Sequence, residues 1–507
     1  MHSATNSSAH PPLEVALPAR GKDQAESLRF REPWAALVVG AIATALRAIW
    51  VVLAARTPVG LSDPNLYLRA AASLAHGTGY TSLLGQPTAY YPPGYPVFVA
   101  CVQRLAELLG QGSHLILILG LAQAVLGGVA AAALVIAGNR VRPGLRLGVI
   151  AGLLFALWPN LIIHSGLVLS ESLFLCCFCV LLAALFIWTS RAQPVSGGGG
   201  DQLDFELSTE GTGADQQSSA HRHSLLVATV ILATAACTLV RPQSAVLVVP
   251  AAGIAWWMTA LGWRVALRGM GLLILGLMVA VVPWTLRNAL VLKEFVPMST
   301  NTGDNFCIGF HDAASGGFSI TADCATKGNY TDGPRVEVAR DHELQSRTLH
   351  WVADHPGSIP VLSVKKLQIT LGHDADAVFA WESFGADPHL SDGARSALYW
   401  ICNLYYWVVG VVSLFGAVMV VRRWWANRHE PSESAQVGNG LIALMTCVFG
   451  VLLPVMFFGD ERFKIPFLPC VALLAAVVVR AALPARLPSN SEPEPQQRYE
   501  SPASEPA

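Results

Sequence analysis

Long apolar runs alternate with short polar segments along most of this chain of 507 residues. A helix needs about 20 apolar residues to cross the hydrocarbon core of a bilayer, and about ten runs come close to that length. The pattern therefore predicts an all-α polytopic membrane protein with about ten transmembrane helices. The predicted spans are 34–54, 115–137, 147–163, 167–188, 223–240, 244–261, 269–286, 399–421, 441–458 and 465–479.

The stretch 95–109 has a helical pattern, but it is short for a span and carries charged side chains. If it does not span, the basic segments 139–146, 263–268 and 422–428 fall on the same side as the basic N-terminus, as the positive-inside rule requires. If it spans, that agreement is lost. We therefore predict a helix at the outer interface, with its apolar face in lipid and its polar face in water.

This topology divides the chain into inner, membrane and outer parts. Residues 1–33 are polar, lack the apolar core of a signal peptide and are predicted to be a disordered cytoplasmic segment. The Gly/Ser-rich cytoplasmic linker 190–222 and the Pro/Glu/Ser-rich tail 485–507 are also predicted to be disordered. The remaining parts are a membrane part 34–189 that includes a first outer loop 55–94, middle helices 223–287, an outer soluble loop 288–398 and C-terminal helices 399–484.

Composition agrees with a membrane protein, because 53% of the residues are hydrophobic and 13% are charged, against about 25% charged in soluble domains. The formal net charge of −1 gives no indication of a nucleic-acid partner. Cys307 and Cys324 are the two cysteines of the outer loop 288–398, which faces an oxidising compartment, so we predict a disulfide between them, with two free thiols as the alternative. No His/Cys cluster has the spacing of a metal site.

Charged residues occur where several predicted helices meet the outer surface. Each one alone has an ordinary explanation, because an acid near a helix start is stabilised by the helix dipole and an arginine at a helix end extends to the headgroups. Several of them converging on one cavity would instead suit a substrate with a phosphate head and a lipid tail: a carboxylate takes a proton from a hydroxyl, and basic groups hold the phosphate. The residues are Asp63, Glu171, Arg241, Arg287, Arg462 and Lys464.

Six motifs in this order carry a family resemblance. They are "SDPNLYLRAAASLAHGTGYTSLLGQPTAYYPPGYPVF", "LSESLF", "LVRPQ", "PWTLRN", "FVPMSTNTGDNF" and "ERFKIPFLP". Together they resemble the GT-C fold membrane glycosyltransferases of the protein mannosyltransferase and lipid A aminoarabinose transferase type, over residues 34–483. The resemblance implies transfer of a sugar from a polyprenyl-phosphate donor to a lipid, glycan or protein hydroxyl at the outer face of the inner or plasma membrane, with inversion.

The resemblance also implies roles for individual residues. Asp63 matches the proposed general base, Glu171 matches an acid at the start of the fourth helix, and Arg462 matches a basic residue near the last helix that would bind the donor phosphate. Many relatives have a second acid after the base, where this chain has Pro64. The resemblance therefore implies no firm cofactor, although a divalent metal stays open. The further candidates for phosphate binding are Arg241, Arg287 and Lys464.

The first outer loop is rich in tyrosine. Tyr67, Tyr90 and Tyr91 are candidates for contact with the sugar or the lipid, but tyrosines of the interfacial belt have the same composition. We favour the belt for Tyr80 and Tyr95. The sequence leaves the choice open for the other three.

Two other classes of protein compete with the enzyme. A transporter or flippase for a lipid-linked sugar would share a basic, lipid-lined cavity but needs no base, and it predicts internal repeats and helices broken near the middle of the bilayer. We find no such repeat. A scaffold that binds a partner through the outer loop leaves the outer acids unexplained.

Overall fold

The computed structural model describes residues 20–60, 63–142, 145–192, 213–319, 324, 333–384 and 389–483. The predicted tail 485–507 and most of the predicted linker lie outside these residues. The described chain is helical. In chain order the helices are α1 (Arg20–Ala54), α2 (Asp63–Ala75), α3 (Gly94–Leu108), α4 (Leu115–Val141), α5 (Leu145–Ala156), α6 (Pro159–His164), α7 (Glu171–Arg191), α8 (Gly213–Val240), α9 (Gln243–Trp257), α10 (Gly262–Val291), α11 (Thr302–Gly309), α12 (Pro334–Asp354), α13 (Ser358–Gly372), α14 (Asp376–Ser383), α15 (Asp392–Asn427), α16 (Ser434–Met456) and α17 (Leu468–Ala482), with the 3-10 helices η1 (Gly112–His114) and η2 (Glu461–Phe467).

The predicted class, an all-α polytopic membrane protein, is confirmed. Within the described residues, eight helices are long and apolar enough to cross a membrane, and two shorter apolar helices, Arg146–Ala156 and Leu247–Trp257, bring the number close to the prediction. Their buried apolar side chains form one large core that runs from α1 to α17. The eight longer spans are Arg31–Ala54, Gly112–Val141, Glu171–Arg191, Gln217–Val240, Gly262–Val291, Asp392–Asn427, Ser434–Met456 and Glu461–Ala482.

Helix boundaries differ from the prediction in three places. Helix α1 begins at Arg20, inside the segment predicted to be disordered, and α8 begins at Gly213, so residues 213–222 of the predicted linker are helical. The predicted span 147–163 consists of two helices, α5 and α6, separated at Leu157 and Trp158. Pro159 is the first residue of α6, and a proline both lacks an N–H donor and disfavours the helical conformation of the residue before it.

A buried arginine of α1 compensates for this break. Arg47 is only 2% exposed, although it lies within a membrane span. Its guanidinium donates hydrogen bonds to the carbonyl oxygens of Ala156 at 3.1 Å and Phe155 at 3.4 Å. The last carbonyls of a helix have no partner within the helix, and an unpaired carbonyl in an apolar setting is costly. Arg47 therefore satisfies the C-terminal end of α5.

Replacing Arg47 by methionine keeps the length of the side chain and removes its donors. The carbonyl of Ala156 then loses the bond from Arg47, and that of Phe155 keeps only the bond from the Trp158 N–H. We therefore expect the free energy of unfolding to fall by about 2 kcal/mol, the scale of hydrogen bonds to a charged group. Thermal unfolding in detergent measures the change, with Arg422→Met, at an exposed position of α15, as the matched control. Equal midpoints for the two variants would contradict this role of Arg47.

The first outer loop is a compact unit built on α2 and α3. Gly77 and Gly79 have positive φ values of 76° and 92°, which glycine adopts without steric cost, and they turn the chain after α2. One face of the predicted interfacial helix α3 carries Val99 and Ala106, both fully buried, and packs within the protein. Leu108, at 77% exposure, lies on the opposite side.

The segment 288–398, predicted to lie outside, contains α11 to α14, and its described residues do not form one core of their own. Ala377 and Trp381 of α14 belong to a buried cluster that also holds Tyr67 of α2 and Val99 of α3. The indole of Trp381 donates a hydrogen bond to the carbonyl of Ala54, at the end of α1. Helix α14 therefore packs against the first outer loop and fixes it above the membrane spans.

The predicted topology places α12 outside and the turn between α15 and α16 inside. Ser346 and Ser432 are exposed in these two places, so each accepts a cysteine at little structural cost. In a background with the exposed Cys101 replaced by serine, an impermeant maleimide applied to intact cells should label Ser346→Cys and leave Ser432→Cys unlabelled until the membrane is permeabilised. The reverse labelling pattern would invert the orientation and refute the outer location of the site.

Candidate functional site

Three helix starts bring two acids and an arginine together. Asp63 is the first residue of α2, Glu171 is the first residue of α7, and Arg462 is the second residue of η2. The Arg462 Nε donates to Glu171 Oε1 at 2.7 Å, and its Nη1 donates to Asp63 Oδ2 at 3.2 Å. Among the described residues, nothing accepts a hydrogen bond from the remaining nitrogen, Nη2. The guanidinium thus bridges two carboxylates and keeps one donor atom available.

A second arginine joins the cluster from the end of α8. Arg241 Nη2 donates to Glu171 Oε1 at 2.5 Å, and Arg241 Nε donates to Ser170 Oγ at 3.1 Å. Two acids and two arginines therefore balance in charge, as a site with little water requires. Asp63, Glu171, Arg241 and Arg462, which the sequence predicts to share an outer location, are neighbours in the structure.

Exposure changes sharply across this cluster. The side chain of Glu171 is fully buried, that of Arg462 is 21% exposed and that of Asp63 is 37% exposed. Glu171 Oε2 has no hydrogen-bond partner among the described residues. Glu171 is therefore the inner anchor of the two arginines, whereas Asp63 and the free edge of Arg462 form the side that a ligand reaches.

The tyrosines behind Asp63 shape this accessible side. Tyr91 donates its hydroxyl hydrogen to Asp63 Oδ1 at 2.7 Å, so Arg462 and Tyr91 engage both oxygens of Asp63. The ring of Tyr67 lies 4.7 Å from the Tyr91 ring and 5.0 Å from the Tyr95 ring. Burial and the nearby Asp63 carboxylate raise the pKa of Tyr67 and Tyr91, which keeps both phenols protonated as hydrogen-bond donors.

Two predicted residues lie beside the cluster but have other partners. Tyr90 donates to Asp304 Oδ2 at 3.0 Å, and Arg340 of α12 forms an ion pair with the same carboxylate. Arg287 donates to the carbonyl oxygens of Thr88 and Tyr80 at 2.8 and 3.0 Å. Arg287 therefore holds the first outer loop in place and does not join Arg462.

Lys464 is also placed away from the cluster. The Lys464 side chain is fully buried. Its ammonium donates hydrogen bonds to the carbonyls of His373 and Glu461 and forms an ion pair with Asp374 at 3.3 Å. These partners engage the Lys464 ammonium within the described chain, and its role in phosphate binding stays a prediction.

A second polar cluster, which the sequence did not predict, surrounds Lys464. Asp374 and Asp376 come from the segment "HDAD" before α14, and they receive hydrogen bonds from Trp158, Asn160 and His164, at the break between α5 and α6. The two acids in "HDAD" were a visible signal, but polar loop residues are common. Nothing in the sequence indicated that the helix break would face them.

Within this second cluster, the interaction between His164 and Asp376 favours the charged form of both residues. Burial disfavours a charged His164, but the Asp376 carboxylate more than offsets that effect, so the pKa of His164 is raised. Burial likewise disfavours a charged Asp376, and His164 outweighs it, so the pKa of Asp376 is lowered. Burial raises the pKa of Asp374 despite its contact with Lys464. Each group of the His164–Asp376 pair therefore stabilises the charged form of the other.

Within the described residues, no group of three His, Cys, Asp or Glu side chains is arranged to hold a metal ion. The two acids of the first cluster are already neutralised by arginines, and Pro64 stands where many relatives in the resembled family have a second acid. We therefore derive no step through a metal.

A disulfide lies in the outer segment. Cys307 of α11 is bonded to Cys324, with their Cα atoms 5.7 Å apart. Both cysteines are buried and pack with Leu344 of α12. This is the pair that the sequence predicts, and it fastens the chain between α11 and α12 on the side that the predicted topology places outside.

Comparisons with known proteins were made against families, curated sequences and solved structures. No family model and no curated protein matches the chain. One similar solved structure is the oligosaccharyltransferase AglB from Archaeoglobus fulgidus in complex with an inhibitory peptide and a dolichol-phosphate, at 14% identity and a TM-score of 0.46, covering 89% of this chain and 50% of that chain. Another is ArnT from Cupriavidus metallidurans bound to undecaprenyl phosphate, at 14% identity and a TM-score of 0.38, covering 87% of this chain and 77% of that chain.

Both structures are of the GT-C class that the sequence motifs resemble. The chain spans about half the length of the oligosaccharyltransferase, which was also solved with zinc and sulfate. The TM-scores lie below 0.5, so the function proposed below is argued from the residues of this chain.

Proposed function

We propose that this protein is a glycosyltransferase that moves a sugar from a polyprenyl-phosphate donor to a hydroxyl acceptor at the outer face of the membrane. One observation carries the proposal: Arg462 bridges a fully buried carboxylate, Glu171, and a partly exposed one, Asp63. A guanidinium held in this way suits a phosphate group, and the adjacent Asp63 suits a hydroxyl that loses its proton. Apolar helices around the site suit a lipid tail.

The proposed reaction is a single displacement. The acceptor oxygen forms a bond to the anomeric carbon of the sugar, and the bond from that carbon to the phosphate oxygen breaks. Asp63 takes the proton of the acceptor hydroxyl, and polyprenyl phosphate leaves with the electron pair, its charge stabilised by Arg462 and, behind it, Arg241. Attack from the side opposite the leaving phosphate inverts the anomeric carbon.

The ion pair between Arg462 and Asp63 must open for this reaction. The base and the phosphate ligand are 3.2 Å apart, which leaves no room for a sugar between them. The pair lies at the accessible side, where exchange of an ion-pair partner costs little because water screens both charges. Glu171 keeps Arg462 in position while its outer nitrogens turn to the phosphate.

The proposal extends to partners and location. The donor is a polyprenyl-phosphate-linked sugar, the acceptor is a lipid, glycan or protein hydroxyl, and the protein works in the inner or plasma membrane among its lipids. Hexosyl and pentosyl donors both fit this chemistry. Tyr67, Tyr90 and Tyr91 are proposed to contact the sugar or the lipid, with Tyr91 closest to the reacting atoms because it already contacts Asp63.

Asp63→Asn tests the base. Asparagine keeps the size and an acceptor oxygen but takes up no proton, so turnover should fall by about 10²- to 10⁴-fold, the usual worth of general-base catalysis. Donor affinity should be equal or stronger, because Arg462 loses a competing carboxylate. Sugar transfer and donor binding are measured in nanodiscs, with Asp354→Asn, on the exposed surface of α12, as control. A normal transfer rate in Asp63→Asn would assign the base to another acid, first of all Glu171.

Arg462→Ala tests the phosphate ligand. Loss of a charge-assisted contact of about 1.5–3 kcal/mol should weaken donor binding by about 10- to 100-fold. Arg462→Lys should recover part of the affinity, because it keeps the charge but not the forked geometry. Arg422→Ala, at an exposed position of α15, is the control, and thermal unfolding checks that each variant folds. Unchanged donor affinity in folded Arg462→Ala would move the phosphate site to Arg241 or Arg287.

The transporter alternative has one feature in its favour, since the break between α5 and α6 is of the kind it predicts. Arg47 closes that break with direct hydrogen bonds and leaves it no exposed carbonyl of Phe155 or Ala156 for a substrate. Movement of a labelled lipid-linked sugar across liposomes without sugar transfer would favour the transporter over the enzyme.

A further inference from the structure

The second polar cluster connects the helix break to the segment that carries Arg462. On the side of the break, His164 Nε2 lies 2.9 Å from Asp376 Oδ2, and Asn160 Nδ2 donates to Asp376 Oδ1 at 2.7 Å. Trp158 Nε1 donates to Asp374 Oδ2 at 2.7 Å. The turn 374–376 is therefore bound from one side by three neighbouring residues of the chain.

The same turn is bound from the other side by η2. The backbone N–H of Ala375 donates to Glu461 Oε2 at 2.7 Å, and Lys464 pairs with Asp374 at 3.3 Å. Arg462 lies in the chain between Glu461 and Lys464. The position of its backbone is thus set by the two residues that fasten η2 to the turn.

Among Trp158, Asn160 and His164, which bind the turn 374–376, His164 is the one whose side chain can carry a charge. Its side chain is 1% exposed, and its Nδ1 has no hydrogen-bond partner among the described residues, so Asp376 is its one polar partner there. The charged groups that face His164 are Asp376 from α14, Glu171 from α7 and Arg462 from η2. The polar and titratable groups of α15 near this cluster include Asn403, Cys402 and Tyr406, and α1 contributes Arg47, which is bonded to backbone carbonyls.

We propose that His164 is a positioning residue: its imidazolium, bonded to Asp376, fixes the turn 374–376 and through η2 fixes the guanidinium of Arg462 for the donor phosphate. The inference rests on the proposed function. His164 itself touches no reacting group. A charge-assisted hydrogen bond is about twice as strong as a neutral one, so loss of the imidazolium proton loosens the turn. Burial lowers the pKa of His164, but the Asp376 carboxylate outweighs that effect, so the proton is lost at a pH above the usual histidine value of about 6.5.

The donor KM is expected to depend on pH through His164. As the pH rises through the raised pKa of His164, the donor KM should increase on the order of tenfold, the equivalent of one charge-assisted hydrogen bond. The kcat should change less, because Arg462 contacts the phosphate both before and during transfer. In His164→Gln the hydrogen bond to Asp376 remains and the charge is absent. The donor KM of this variant should therefore be independent of pH and equal to the value that the wild type reaches at high pH. Asp376→Asn should give the same flat profile, and the double variant should add nothing further.

The control is His373→Gln, which removes an exposed imidazole from the same segment and should keep the pH dependence of the wild type. A KM profile of His164→Gln that follows the wild type would overturn the proposal. A donor KM of His164→Gln that stays at the low wild-type value at every pH would also overturn it, because it would show that a neutral hydrogen bond to Asp376 is sufficient to position Arg462.

Thermal unfolding without donor separates this proposal from the proposed function. A group whose pKa is raised by folding contributes stability that is complete below its unfolded value and lost as the pH rises through its folded value. The midpoint of the wild type should therefore fall over this window relative to that of His164→Gln. If the wild-type midpoint falls in this way and neither the wild type nor any variant binds polyprenyl phosphate, the pairing of His164 with Asp376 is confirmed and the proposed function is wrong. If the two midpoints run parallel, the role of His164 fails whatever the activity.

Discussion

The arrangement of the site depends on one guanidinium that must neutralise two carboxylates. Arg462 joins Asp63 and Glu171, which are 399 and 291 positions away in sequence. Removing the arginine would leave the fully buried Glu171 with Arg241 as its one remaining arginine partner and would leave Asp63 without its cation, and breaking a buried ion pair is strongly destabilising. The contact therefore fixes where α2, α7 and η2 begin relative to one another, and it sets the geometry in which any ligand meets Asp63.

The acids that meet at the outer end of the bundle share a local cause. Asp63, Glu171, Asp376 and Glu461 are each the first residue of a helix. A helix start exposes unpaired N–H groups and a partial positive charge, both of which stabilise a carboxylate. The same location orients the acid beyond the end of the helix, toward whatever faces it. Several helices that start at one level therefore place acids close together. Arg462 of η2 and Arg241 at the end of α8 stabilise this cluster by forming ion pairs with the carboxylates.

Sequence patterns predicted the membrane spans because apolar length is a direct requirement of the bilayer, and they indicated charged residues near helix ends, four of which meet in one cluster. They did not predict which way those residues face. Arg287 and Lys464 lie at the expected level, yet each turns to other partners. The role of Arg47 depends on a carbonyl more than 100 positions away, and the pairing of His164 with Asp376 depends on how α14 folds back over the break. Neither contact leaves a periodic signal.

The resting state of the site also bears on how the proposed reaction avoids transfer to water. Both oxygens of Asp63 are occupied, one by Tyr91 and one by Arg462. A donor phosphate that draws Arg462 toward itself releases Asp63 Oδ2, so the base becomes available only when the donor is in place. Tyr91 stays bonded to the other oxygen and keeps the carboxylate oriented. Because Glu171 retains Arg462 throughout, the exchange needs only the outer edge of the guanidinium to change partner, and the buried charges stay paired at every stage.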